Sequence, residues 1–203
     1  MEEKGLIFVI TAPSGTGKTT IIKSILKKNA GKIGYSVSHT TRRPRQGEVN
    51  GEHYYFVDKT EFEKMIEAGE FIEWAVVYDQ LYGTSVAGID RELSSGKDIL
   101  IDLDTQGAEE IKRRFPESVL IFMLPPSVEI LKERLVKRSK NSKVNIDLRL
   151  SNAIDEIRRC RDYDFIIVND DLKQAIREME AIIIAQRANK RRRYPFVQGM
   201  FHL

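Results

Sequence analysis

The chain reads as an α/β fold, a parallel sheet flanked by helices with an inserted small β-rich lobe, and three observations predict it. First, Leu6 to Ile10, Ile99 to Leu103, Val119 to Leu124 and Phe165 to Val168 are short runs rich in β-branched and apolar residues. They lack the alternation of a half-exposed strand, so all four are expected to be buried on both faces. Second, each run is followed by residues at helical spacing, such as Val128, Leu131 and Leu135, or Ile146, Leu150, Ile154 and Ile157. Strand alternating with helix is the pattern of a parallel sheet with helical crossovers. Third, the texture changes between the first helix and the strand at Ile99, where aromatic and alternating segments surround a short helix.

In chain order, Leu6 to Ile10 runs directly into APSGTGKT, residues 12 to 19, a strand-to-helix junction rich in small residues. Residues 35 to 37 can supply a further short strand. The pair Asn50-Gly51 is a turn signal. It precedes two strand-like segments, His53 to Val57 and Phe71 to Tyr78, which lie either side of a helix over residues 61 to 68. Thr60 and Glu63 form a capping box for that helix, and Gly69 follows as its stop. Asp102 and Asp104 flank Leu103 at the carboxyl end of the strand at Ile99, where side chains of open α/β sheets meet ligand. Asp104 also suits an N-cap for the helix that starts just after it. There is no internal repeat or low-complexity segment.

With 203 residues the chain is long enough for one sizeable core. Charged residues make up 31% but the net charge is only +3, so a nucleic-acid partner is not implied. The positive excess is local: Arg187, Lys190, Arg191, Arg192 and Arg193 have no acid among them. Residues 187–203 therefore read as a solvated, fraying tail, with a polyanion-binding arm as the alternative. Cys160 is the only cysteine and reads as an ordinary helix residue. No disulfide within the chain is possible, no Cys/His set has zinc spacing, and a reducing compartment fits. Met1 to Gly5 is not a signal-peptide start, and the apolar runs are far shorter than a membrane span, so the expectation is a soluble, cytoplasmic protein with no membrane partner.

The junction at residues 12–19 is a phosphate cradle. A buried strand ends, small residues let successive backbone N–H groups point inward, and a helix N-terminus adds its partial positive charge. Lys18 would reach the β- and γ-phosphates of a nucleotide, and the Thr19 hydroxyl would sit on the bridging Mg²⁺. Ala12 stands where the strict P-loop pattern has glycine. The simpler alternative is a glycine-rich turn before a helix.

A second constellation follows in the lobe. Arg42, Arg43 and Arg45 surround Pro44 in a loop, and fixed guanidinium groups suit a phosphate dianion. Glu73 lies in the apolar run Phe71-Ile72-Glu73-Trp74-Ala75, and a carboxylate there needs a partner or it resists ionisation. Guanine offers two parallel N–H donors to it, whereas adenine presents a ring acceptor. Spacing alone favours a solvent-facing residue of an alternating strand.

The segments APSGTGKT, SVSHTTRRPRQGEVNGEHYYFV, EFIEWA, YGTSV, ILIDLDTQG, PPS and IVNDDL occur in this order. Together they resemble guanylate kinases, the ATP:GMP phosphotransferases of the nucleoside monophosphate kinase group, across nearly all of residues 5–186. The resemblance implies a P-loop core over residues 1–34, 98–137 and 150–186, a GMP-binding lobe over 35–97, a helical lid over 138–149, and the basic tail at 187–203. It places ATP on Ala12, Pro13, Ser14, Gly15, Thr16, Gly17, Lys18, Thr19 and Thr20, with Asn169 at the adenine, although an ordinary strand-end turn would also accept an asparagine. GMP phosphate falls on Arg42, Arg45, Tyr54 and Tyr82. The guanine falls on Ser38, Glu73, Gly83 and Thr84, where serine is commoner than threonine.

The resemblance puts Asp102 near the nucleotide or the metal, and holding Mg²⁺ with Thr19 or shaping the guanine pocket both remain open. Arg134, Arg138 and Arg149 match the family's ATP-phosphate and transition-state arginines beside Lys18. Arg134 and Arg138 are one helical turn apart and share a face. Their alternative is surface pairing with Glu129, Glu133 and Asp147. The lid departs from the usual pattern at Arg138-Ser139 and Lys143-Val144-Asn145. The implied activity is γ-phosphate transfer from ATP to GMP with Mg²⁺. Competing readings are a kinase for another monophosphate, a GTPase, and a guanylate-kinase-like module that binds phosphorylated peptides.

Overall fold

The computed structural model describes residues 4–77, 79–138 and 146–203, with the side chains of all of these except Val77 and Arg138. In chain order the elements are β1 (Ile7–Thr11), α1 (Lys18–Lys28), β2 (Ile33–Tyr35), β3 (His39–Thr40), β4 (Tyr55–Phe56), α2 (Lys59–Glu67), β5 (Phe71–Val77), β6 (Gln80–Ser85), α3 (Val86–Ser94), β7 (Asp98–Asp102), α4 (Thr105–Arg114), β8 (Val119–Leu124), α5 (Val128–Arg138), α6 (Ile146–Arg158), a 3-10 turn at Arg159–Asp162, β9 (Phe165–Val168), α7 (Leu172–Arg187) and α8 (Lys190–Phe201). Five strands make a parallel sheet in the order β2-β7-β1-β8-β9, and four make a second sheet in the order β4-β3-β6-β5.

The first strand explains the layering. All of β1 is buried, and its residues alternate between two cores. Phe8 and Ile10 join Ile21, Ile22 and Ile25 of α1 and Ala175, Met179 and Ile183 of α7. Ile7 and Val9 face the other way, toward Ile89 and Leu93 of α3 and Ala108 and Ile111 of α4. Burying an aliphatic side chain fully contributes about 1.5–3 kcal/mol, so helices on both faces are what a continuously apolar strand requires. A third, smaller cluster joins Leu131 and Leu135 of α5 to Ala153 of α6, with Leu150 and Ile157 packed against it. The order places β1 between β7 and β8, and the crevice outside the carboxyl ends of β1 and β7 is where ligands of open α/β sheets bind.

Several expectations are corrected. The fourth run is not buried on both faces: among the described residues β9 pairs only with β8, and Ile166 and Val168 are 48% and 47% exposed on this edge. The short strand expected at residues 35–37 lies at Ile33–Tyr35. Only Tyr55–Phe56 of the segment His53 to Val57 is strand. The Asn50-Gly51 turn uses up the rest, since Gly51 N–H donates to the Tyr54 carbonyl at 2.9 Å and Phe56 N–H to Asn50 Oδ1 at 2.8 Å. Tyr78, the last residue of the next expected strand, lies outside the described residues.

Helix α2 starts at Lys59, and its cap is Asp58 rather than Thr60: Asp58 Oδ1 accepts from Glu61 N–H at 2.8 Å. A carboxylate both caps the free N–H groups and complements the helix dipole. The C-terminal residues are solvated as expected, since α8 has no buried residue, but they are helical rather than frayed. Arg187 Nε donates to Asp98 Oδ2 at 2.6 Å, Arg192 Nη2 donates to the Lys4 carbonyl at 2.6 Å, and α8 is helical with Asn189 as its cap. Asp98 is 4% exposed and its other oxygen accepts from Leu6 N–H, so Arg187 neutralises a buried carboxylate. Among the described residues no helix is long and apolar enough to cross a membrane.

Candidate active site

The phosphate cradle forms between β1 and α1. Gly17 is the N-cap of α1 in a left-handed conformation, φ +91, and a Cβ there would stand 2.5 Å from the Asn169 amide nitrogen. Only glycine satisfies both conditions. No side chain caps the helix and its first turn holds no acid, which leaves an anion-binding terminus. Ala12 packs against the first core cluster, so a methyl group in place of the expected glycine fits there.

Two side chains hold the loop in shape. Thr16 Oγ1 donates to the Pro13 carbonyl, and Asn169 Nδ2 donates to the Thr16 carbonyl, both at 2.5 Å. Asn169 is 6% exposed, and its own carbonyl accepts from Arg134 Nη2 at 3.3 Å. The Asn169 amide, expected at the adenine, is committed here to the backbone of the loop. Arg134, whose guanidinium donates to the backbone carbonyl of Asn169, lines the same cavity as the loop.

The loop opens into a cavity of about 730 Å³ lined by residues 12–20, Asp102, Leu103, Asp104, Arg134 and Glu156. Lys18 Nζ is ion-paired with Asp102 Oδ1 across it. Asp104 caps α4 as expected, with Oδ1 accepting from Gly107 N–H at 2.8 Å. Thr19 and Thr20 line the cavity at the start of α1. Among the described residues, no group of three or more Asp, Glu, His or Cys converges on a metal position.

The second sheet builds the other half. A β-bulge between Phe71 and Glu73 breaks the alternation of β5 and brings Glu73 opposite Thr84 of β6. Thr84 Oγ1, on a residue 2% exposed, donates to Glu73 Oε1 at 2.8 Å. Burial raises the Glu73 pKa above its ordinary value, the Thr84 hydrogen bonds oppose the rise, and the charges of Asp104 and Asp102 add to it. Glu73 is therefore no solvent-facing strand residue. Gly83 precedes Thr84 because a Cβ there would stand 2.8 Å from Phe71 and 3.0 Å from Phe62. Strand β3 pairs with β6 at His39–Gly83, so Ser38 continues toward Thr84.

Arg42, Tyr54 and Tyr82 are brought together. The Arg42 guanidinium lies 5.3 Å from the Tyr54 ring centre, and the two tyrosine rings meet edge to face at 5.8 Å. Glu48, which no sequence signal singled out, organises the arginine loop: Oε1 accepts from Arg42 Nη2 at 2.8 Å and Oε2 from Arg45 N–H at 2.7 Å. The Arg45 residue itself is exposed. The Arg42 hydrogen bond and the Arg45 backbone N–H hold the Glu48 carboxyl below its ordinary range.

The two halves adjoin. A Cβ on Gly107, in the first turn of α4, would stand 3.2 Å from Glu73 Cγ, and Asp102 and Asp104 influence Glu73 while lining the loop cavity. Tyr35, also unanticipated, is 41% exposed as a residue, yet desolvation around its hydroxyl, with the charges of Asp102 and Tyr54, pushes that pKa up. Arg149 stands on α6, outside the cavity lining. The Arg138 side chain and residues 139–145, the centre of the expected lid, lie outside the described residues. Glu156 was missed because its position on an ordinary amphipathic helix carries no local signal.

A family model described as guanylate kinase matches residues 4–186. A protein of Clostridioides difficile named guanylate kinase is 48% identical over 192 residues, covering 95% of this chain and 93% of that protein. One of Geobacter sulfurreducens with the same name is 42% identical over 203 residues, covering 100% of both. The crystal structure of guanylate kinase from Anaplasma phagocytophilum superposes with a TM-score of 0.73 at 30% identity, covering 100% of this chain and 98% of that one. With a cradle for phosphate, a carboxylate–hydroxyl pair beside it, and these full-length likenesses, the chain belongs to the guanylate kinase family.

Proposed function

We propose that this chain transfers the γ-phosphate of ATP to GMP, producing ADP and GDP. The observation that carries the reading is the adjacency of the Lys18 cradle to the Glu73–Thr84 pair, joined through Asp102 and Asp104. Thr84 occupies one oxygen of Glu73, which leaves the other and a remaining lone pair for the two N–H donors of guanine. Adenine would direct an acceptor at the same carboxylate. Ser38 and Gly83 complete the base pocket, and Arg42, Arg45, Tyr54 and Tyr82 hold the GMP phosphate.

On the donor side, residues 12–20 bind the ATP phosphates and Lys18 leaves Asp102 to pair with them. Thr19 and Asp102 line the cavity with oxygen ligands only, a set that fits Mg²⁺, which binds through one or two protein oxygens and the phosphates. Held by Thr19 and Asp102, Mg²⁺ would supply charge neutralisation at the β- and γ-phosphates. Arg134 and Arg149 stabilise charge on the transferring group, the role the family resemblance also gives to Arg138. Asn169 keeps the loop in the conformation that presents its N–H groups.

The test is ADP formation from ATP and Mg²⁺ with GMP, AMP, CMP, UMP and dTMP offered separately, with Lys18→Met as control. Turnover with GMP alone, lost in the control, is the expected outcome. Turnover with another monophosphate refutes the assignment of Glu73, and silence with all five refutes the activity.

A further inference from the structure

Glu156 lines the loop cavity together with Lys18, Asp102, Asp104 and Arg134, yet phosphoryl transfer as laid out above gives it no task. Packing determines that it points there. Leu150, Ala153 and Ile157 lie along one stripe of α6 and pack on Leu131 and Leu135 of α5. At 3.6 residues per turn, Arg149 and Glu156 form the neighbouring stripe, two turns or about 10 Å apart along the axis. Seating the apolar stripe on α5 therefore turns the Glu156 end of this edge toward the cradle. Among the described residues the carboxylate forms no hydrogen bond or ion pair. It nevertheless lies within the field of Lys18, and burial together with Asp104 disfavours its charge. A half-buried carboxylate beside phosphate-binding groups is unfavourable unless a cation uses it.

We propose that Glu156 is a positioning residue for Lys18, taking over its charge pairing from Asp102 when nucleotide binds. The inference rests on the phosphoryl-transfer reading. Without nucleotide, Lys18 is held by Asp102. Asp102 releases it once phosphates enter, and Glu156 then anchors the ammonium from α6 and prevents its return. The helix that follows the expected lid thus carries both an arginine for the phosphates and the group that aims Lys18.

The experiment compares Glu156→Gln, Glu156→Asp, Lys18→Arg and the Glu156→Gln/Lys18→Arg double variant. Glu156→Gln is expected to lower kcat about tenfold, the equivalent of one oriented charge interaction, with KM for GMP unchanged. Glu156→Asp recovers part of the loss. In the Lys18→Arg background the same replacement changes kcat less than about twofold, because residues acting as a unit are not additive. The Tm stays equal or rises, since an unpaired carboxylate is removed, whereas a merely structural role lowers it. An equal loss in both backgrounds, or no loss in either, overturns the proposal. Nitrogen-15 NMR of the lysine ammonium groups with ADP bound gives a readout that does not depend on GMP turnover. A protected Lys18 signal that shifts or broadens in Glu156→Gln supports the assignment, and an unmoved signal overturns it even if the wild-type chain fails to phosphorylate GMP.

Discussion

Replacing Glu73 by glutamine preserves volume and leaves the Thr84 hydroxyl an acceptor, because the amide oxygen can take the place of Oε1 in the 2.8 Å hydrogen bond. The change falls on the other atom, where a donor now faces a guanine donor. A hydrogen bond to a charged group contributes about 1.5–3 kcal/mol, and each 1.4 kcal/mol is about tenfold, so kcat/KM for GMP falls about 10- to 150-fold. Stability moves the other way. Burial raises the Glu73 pKa in the folded protein, so stability linked to its proton is fully present below the unfolded value and is lost as pH rises through the folded one. The glutamine variant carries no such loss and should melt at the same or a higher temperature at neutral pH. Coupled ADP-release kinetics with GMP and with AMP, beside calorimetric melting, test both statements. Equal loss with the two acceptors would refute base reading by Glu73, and a lowered Tm would refute the account of its burial.

The same raised pKa sets the acid limb of kcat/KM for GMP above the ordinary glutamate value of 4.5, and Asp104→Asn should move that limb downward; a limb unmoved by the replacement removes the coupling. Asn169→Ala strips the partner from the Thr16 carbonyl, a loss of about 1–3 kcal/mol that lowers Tm by about 2–10 °C, and it raises KM for ATP while leaving KM for GMP unchanged. Gly83→Ala forces a methyl group against Phe71 and Phe62 and costs about 1–3 kcal/mol, seen as a lower urea midpoint with an unaltered slope.

Much of the site was legible because its signals are local. The cradle needs a strand, a left-handed turn and a helix start in immediate succession, and Gly17, Lys18 and Thr19 stand where APSGTGKT puts them. The arginine loop was visible as a cluster, but Glu48 within it was not, since nothing in Gln46-Gly47-Glu48 reveals that both oxygens turn back on Arg42 and Arg45. Glu73 was misread on spacing alone: strict alternation turns it outward, and a single bulge turns it inward. The capping box at Thr60 failed for a related reason, because Asp58 offered a competing cap two residues earlier.

By itself, the sequence determined where most of the parallel strands and the phosphate loop lie, because apolar runs, helical periodicity and turn chemistry act between near neighbours in the chain. β8 and β9 occupy the residues their apolar runs predict. Tertiary structure alone decided that β9 is an edge, that Arg187 serves Asp98 instead of solvent, that Asn169 braces a loop 153 residues away, and that Asp102 and Glu156 stand around one lysine. Those outcomes depend on which helix seats on which face and which buried polar group must find a partner, and such constraints exist only once distant segments have packed.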